Sequence, residues 1–148
     1  MELYDPLLLK NQICFPLYAV SKEITKRYRP YLEKLNLTYT QYITLMVLWE
    51  QKEISVKELG EELLLDSGTL TPLLKTMEQK GFLCRTRSKE DERVVLVTLT
   101  EKGEALKEEA KEIPKEIRQC LPLSVKDAAK LYLLLNKVLE KFREENNK

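Results

Sequence analysis

The sequence predicts a mainly α-helical fold carrying one small β-hairpin. Three observations predict it. Over most of the chain, apolar residues recur three or four positions apart, the period of a helix face. Between those stretches, Phe82-Leu83-Cys84-Arg85-Thr86-Arg87 and Arg93-Val94-Val95-Leu96-Val97-Thr98-Leu99 read as two strands joined by the polar turn Ser88-Lys89-Glu90-Asp91-Glu92. The composition agrees, with 33% charged and 43% hydrophobic residues and only 4 Gly and 6 Pro.

Each element has its own local signal. Asp5-Pro6 reads as an N-cap followed by Pro at the first helical position. The stripe Ile13, Leu17, Ile24, Tyr28, Tyr31, Leu32 and Leu35 makes a first helix. Pro16 lacks a donor and crowds the previous turn, so it should kink that helix or mark a restart. Thr38, with Gln41 three residues on, opens a second helix by a capping box, and the run through Ile43, Leu45, Met46, Val47, Leu48 and Trp49 is mostly a buried pattern. Ser55 and Glu58 form another box before a short helix through Leu59, Leu63 and Leu64. Asp66-Ser67-Gly68-Thr69 turns the chain into a helix carrying Leu70, Leu73, Leu74 and Met77, closed by Gly81. After the hairpin, Thr100 caps a long charged helix running to Cys120, with a kink at Pro114. Pro122-Leu123-Ser124 breaks it, and Ser124 with Asp127 opens a last helix through Leu131, Leu134, Leu135, Val138 and Phe142.

This order is that of a winged helix-turn-helix, with a two-stranded ribbon as the wing. Residues 38–100 form the winged unit, 1–37 an N-terminal sensor and dimerisation helix, and 101–148 C-terminal dimerisation helices. The flanking stripes have no further sheet to cover, and pairing with a second copy is the natural way to bury them.

Composition narrows the chemistry. The 25 Lys+Arg and 24 Asp+Glu give a net charge of +1, which excludes a generally basic nucleic-acid coat but not a local basic patch. No histidine is present, which removes His acid–base catalysis, Ser-His and Cys-His nucleophiles and most zinc sites. Cys14, Cys84 and Cys120 are too far apart in sequence for a CxxC pair. The start Met1-Glu2-Leu3-Tyr4-Asp5 has no basic or apolar leader region, and apolar runs such as Leu131–Leu135 are too short to span a bilayer. The expectation is a cytoplasmic protein with reduced thiols, no membrane partner, no metal and no cofactor.

Four stretches go further: Asn11-Gln12-Ile13-Cys14-Phe15, Leu37-Thr38-Tyr39-Thr40-Gln41-Tyr42, Leu65-Asp66-Ser67-Gly68-Thr69-Leu70-Thr71-Pro72-Leu73-Leu74 and Glu90-Asp91-Glu92-Arg93. Across nearly the whole chain the sequence resembles the MarR family of winged-helix regulators, and these motifs narrow the resemblance to its OhrR-like, organic hydroperoxide-sensing branch. Pro16 departs from the pattern, where an ordinary helix former is expected.

The residues and the resemblance together give a DNA-reading surface. A helix entering the major groove needs small or polar residues at its N-terminal end, which Ser67, Gly68, Thr69 and Thr71 supply. Free amides at that end favour phosphate. Pro72 is still near the first turn, and Lys75 lies one turn beyond Thr71. From Lys80 to Arg93 five cations face three anions, a net of +2, with Arg87 and Lys89 among them. The resemblance implies that Arg93 enters the minor groove, where Arg favours narrow A·T-rich stretches. Asp91 is placed to orient that guanidinium. An ordinary solvated turn is the plainer alternative.

The resemblance also implies that Cys14 is the redox-sensing thiol, hydrogen-bonded by Tyr28 and Tyr39 from its own or the partner chain. A thiol attacks peroxide as thiolate, a form that a helix N-terminus or hydroxyl donors favour. Apolar walls from Phe15, Leu17 and Trp49 would suit an organic peroxide, with a plain core role the alternative for Trp49. Oxidation gives a sulfenic acid, and either Cys120 or a low-molecular-weight thiol then resolves it. Cys84, beside Leu83 on a strand, reads as a packing residue. The function expected is a homodimeric regulator, read as a repressor with activator the alternative, that leaves a pseudo-palindromic double-stranded DNA operator when organic hydroperoxide oxidises Cys14. The rival readings are a regulator gated by a small aromatic ligand, a global or virulence-type thiol-based regulator and, less favoured, a thiol peroxidase.

Overall fold

The computed structural model describes residues 5–148, which form seven α-helices, a short 3-10 helix and a three-stranded antiparallel sheet. The N-cap signal at Asp5 opens no α-helix. Its carboxylate instead accepts the Leu7 N–H at 2.9 Å, and the Asn11 and Gln12 side chains donate to the Asp5 and Leu8 carbonyls at 2.8 and 3.2 Å. Side chains that take backbone groups in this way compete with a helical ladder. The segment is a 3-10 turn at Leu9–Asn11, and helix α1 begins at Cys14 and runs to Glu33. Pro16 is therefore the third residue of α1, where its missing N–H leaves no gap in the ladder, so it marks the restart and not a kink. A second proline, Pro30, lies inside the same helix.

Both capping boxes form. Thr38 and Gln41 open α2 (Tyr39–Gln51), and Ser55 and Glu58 open α3 (Val56–Leu63). Asp66 caps α4 (Ser67–Gln79), and Gly81 follows in the left-handed region at φ 82°. The sheet holds one strand more than the sequence suggested. Besides β2 (Leu83–Arg87) and β3 (Val95–Leu99), the segment Glu53–Ser55 forms β1, and the order is β1-β3-β2. Three residues with a single core side chain, Ile54, carry no detectable alternation. β3 is what makes them a strand, pairing Ile54 with Val97.

The long helix expected between Thr100 and Cys120 is two helices, α5 (Glu101–Ala110) and α6 (Ile113–Cys120). Pro114 sits in the first turn of α6, where proline starts a helix more readily than it bends one. Helix α7 (Val125–Asn146) is capped by Ser124 through the Asp127 N–H.

One core runs from Leu32 to Ile117. Leu45 and Leu48 of α2, Leu59 of α3, Leu70, Leu74 and Met77 of α4, Leu83 and Val97 of the sheet and Leu106 of α5 close on one another. Gly103 lets α5 touch the wing: a Cβ there would lie 2.2 Å from the Phe82 carbonyl oxygen. Trp49 Nε1 donates to the Gly103 carbonyl at 2.9 Å, so Trp49 is a satisfied core side chain. Met46, on the same helix, stays exposed. The α7 helix buries none of its residues, and Leu131, Tyr132, Leu133, Leu134, Leu135, Val138 and Phe142 are all exposed.

Candidate functional site

The α4 helix presents two faces. Leu70, Leu74 and Met77, spaced four and three apart, point into the core. Ser67, Gly68, Thr69, Thr71, Pro72 and Lys75 are all exposed, and so is Thr76, which the sequence reading passed over. Asp66 Oδ1 accepts the Thr69 N–H at 2.8 Å, so that amide is already engaged. Arg85 joins α4 to the wing: its backbone N–H donates to Glu78 Oε2 at 2.8 Å and its guanidinium to Oε1 at 3.3 Å, which holds the Glu78 carboxyl below the usual carboxylate range.

At the wing tip, Arg93 and Asp91 meet as anticipated. Arg93 Nε and Nη2 donate to the two Asp91 carboxylate oxygens, each at 3.0 Å, and the Arg93 backbone N–H adds a third bond at 3.0 Å. The guanidinium is 90% exposed, so this fork fixes its direction while leaving it open to a ligand. Arg87 Nη1 donates to the Glu92 carbonyl at 2.8 Å and braces the turn, and Lys89 is exposed.

The thiols are arranged differently. Cys14, Cys84 and Cys120 are all free and exposed. Cys84 is therefore not a packing residue: with Leu83 turned inward, strand alternation turns Cys84 out. Cys14 is the first residue of α1, next to the positive end of that helix, with Ile13, Phe15, Leu17 and Tyr18 exposed around it. Cys120 is the last residue of α6.

Tyr28 and Tyr39 come together with ring centroids 5.0 Å apart, and Tyr42 completes the cluster at 5.7 Å from Tyr28 and 6.4 Å from Tyr39. Tyr42 was legible as a neighbour, since it follows Tyr39 by three residues on one helix face. Burial raises all three phenols. Tyr42 is pushed up to about 12, with repulsion from Tyr28 and Tyr39 adding to burial. They therefore stay neutral hydroxyl donors at neutral pH. Within one chain they do not reach Cys14. Cys14 and Tyr28 lie on one continuous helix, and its rise sets them about 21 Å apart. Among the described residues no cluster of three or more Cys, Asp or Glu is arranged to hold a metal, and no helix is long and apolar enough to cross a membrane.

The family described as "Transcriptional regulator SarA/Rot" matches residues 26–110, more than half the chain and the whole packed winged unit. The chain belongs to this winged-helix, MarR-type family of transcriptional regulators. It is 51% identical over 143 residues, 97% of each chain, to a protein of Bacillus subtilis named organic hydroperoxide resistance transcriptional regulator. Among solved structures it is similar to reduced AbfR bound to DNA, at 35% identity and a TM-score of 0.75, covering 90% of this chain and 93% of that one. Against disulfide-formed AbfR the TM-score is 0.59 at 32% identity, covering 95% and 93%. These relatives are regulators, not enzymes.

Proposed function

We propose that the protein is a homodimeric, thiol-gated repressor that binds a pseudo-palindromic operator when reduced and leaves it when an organic hydroperoxide oxidises Cys14. One observation supports the reading: Cys14 at the start of α1 and Tyr28, the α1 member of the tyrosine cluster, lie about 21 Å apart along that helix, so a single chain does not bring thiol and tyrosines together. Pairing two chains through the bare faces of α1 and α7 brings a partner's Tyr28 and Tyr39 to Cys14 and covers Phe15 and Leu17 as apolar walls. In this arrangement residues 1–37 and 101–148 dimerise and 38–100 reads DNA. Ser67, Gly68, Thr69, Thr71, Pro72 and Lys75 face the major groove, and Arg87, Lys89 and the Asp91-oriented Arg93 lie along the flanking groove. The name of the Bacillus relative and the solved reduced and disulfide forms of AbfR support both the oxidant class and the existence of two states.

The Cys14 thiol gives up its proton, the thiolate sulfur attacks the distal oxygen of the hydroperoxide, the O–O bond breaks, and the alkoxide leaves and takes up a proton to become the alcohol. The sulfenic acid then condenses with a second thiol, Cys120 of the partner or a low-molecular-weight thiol, to give a disulfide and water. Neutral tyrosine hydroxyls donate to the thiolate but lose that acceptor geometry on oxidation. A cytoplasmic location, where the thiol is kept reduced, fits this cycle.

A second reading has one observation behind it. A largely apolar groove of about 430 Å³ lies beside Tyr42, Met46, Trp49 and Pro114, edged by Glu50, Lys107 and Lys111, and suits a small aromatic ligand. One experiment separates the two: operator binding to the gene's own upstream DNA by wild type and Cys14→Ser, with and without cumene hydroperoxide, with mass spectrometry of Cys14 and Cys120. Release of wild type with retention of the serine variant is expected. Equal release of both overturns the thiol reading.

A further inference from the structure

Lys80 caps the end of α4, yet its side chain leaves that helix and crosses to the junction of α1 and α2. Its Nζ donates to the Asn36 carbonyl at 2.8 Å and to Gln41 Oε1 at 2.9 Å. Gln41 is only 4% exposed, and the same Oε1 also accepts the Thr38 N–H at 3.1 Å. One amide oxygen thus closes the cap of α2 and holds the cation of α4. Gln41 lies in the first turn of α2, between Tyr39 and Tyr42 of the aromatic cluster. On its other side, Lys80 precedes Gly81, whose left-handed backbone turns the chain into the wing, and the Lys80 carbonyl accepts Lys102 Nζ at 2.9 Å. The contact therefore bridges the turn that carries the tyrosines and the point where the DNA-reading helix becomes the wing.

We propose that Gln41 and Lys80 are positioning residues that couple the tyrosine turn to the DNA-reading surface. The inference rests on the thiol-gated reading above. An ammonium held by two oxygens makes short, charge-assisted bonds that depend steeply on geometry. Both acceptors belong to the α1–α2 junction, Asn36 in its left-handed loop (φ 56°) and Gln41 in the capping box. A shift of the first turn of α2 moves both at once, so the link holds or fails as a unit. When it fails, the end of α4 and the start of the wing lose their tether to the sensing turn, and the spacing of the two DNA-reading helices in the dimer is released. Such a tether is a contiguous physical connection between the two regions, of the kind that carries coupling between distant sites.

The test compares operator affinity of reduced and cumene hydroperoxide-treated protein for wild type, Lys80→Met and Gln41→Glu, with Cys14 oxidation followed by mass spectrometry in each. Lys80→Met keeps the stem and removes the cation. Gln41→Glu keeps both the cap and an acceptor for Lys80. In Lys80→Met the ratio of oxidised to reduced dissociation constants should fall about tenfold or more, within the range of ordinary allosteric coupling, while Cys14 oxidises at the wild-type rate. Gln41→Glu should keep the wild-type ratio. A merely structural Lys80 would weaken both states alike and leave the ratio unchanged, and that result overturns the proposal. Should Lys80→Met lose its helical circular dichroism, Lys80→Gln carries the same comparison. If wild type stays on the operator with Cys14 fully oxidised, the thiol-gated reading fails first and the coupling falls with it.

Discussion

The winged region and the flanking helices are built to opposite specifications. Between Leu32 and Ile117 nearly every apolar stripe finds a partner within the chain, down to the Trp49 indole, whose N–H is bonded to Gly103. The α7 helix, as long as any in the molecule at 22 residues, buries nothing, and the start of α1 shows Ile13, Phe15, Leu17, Tyr18 and Val20 to solvent. An apolar surface of that extent on a regulator marks an association site. The winged unit is thus packed within one chain, while the flanking helices carry apolar faces that the chain itself leaves uncovered. In the dimer proposed above, a fold divided in this way would let chemistry at the interface change the spacing of two winged units without disturbing the core of either.

The contrast can be broken from either side. The largest effect is expected at Gly103→Ala. Its new Cβ would sit 2.2 Å from a backbone carbonyl that cannot swing away, so the packed unit should lose about 3 kcal/mol or more, a fall of about 10 °C in melting temperature. Thermal denaturation by circular dichroism measures this, and a change of a degree or two would mean that the α5–wing contact is looser than drawn. The double variant Leu131→Glu/Leu134→Glu attacks the other side. It should leave a folded monomer by sedimentation and weaken operator binding by about 100-fold, the effective-concentration advantage of two linked half-site contacts. A dimer surviving both charges would move the interface off α7. Arg93→Ala is the mildest, about tenfold in affinity with the salt slope reduced by about one. An unchanged slope in a salt titration would remove the wing tip from the phosphate contacts.

What could be read without a structure was whatever a few adjacent residues decide. Thr38/Gln41, Ser55/Glu58, Asp66, Thr100 and Ser124 each cap the helix expected of them, because a cap is a bond between residues two or three apart. The exposed face of α4 followed from helical period, and the Asp91–Arg93 fork from two residues' separation. The misreadings share a cause as well. At Asp5 the cap signal was real but was spent on a turn, and Pro114 opened a helix that it was expected to bend.

Only the tertiary structure decided the rest, since those features depend on groups distant in sequence. β1 exists because β3 lies beside it, 43 residues on at the Ile54–Val97 pair. Cys84 faces outward because Leu83 was claimed by the core. The Lys80 bridge to Gln41 joins residues 39 apart, and no periodicity announces it. The family resemblance singled out Cys14, Tyr28 and Tyr39. The unbroken rise of α1 showed that one chain cannot bring them together, because a helix fixes distance along its axis as firmly as it fixes which residues share a face.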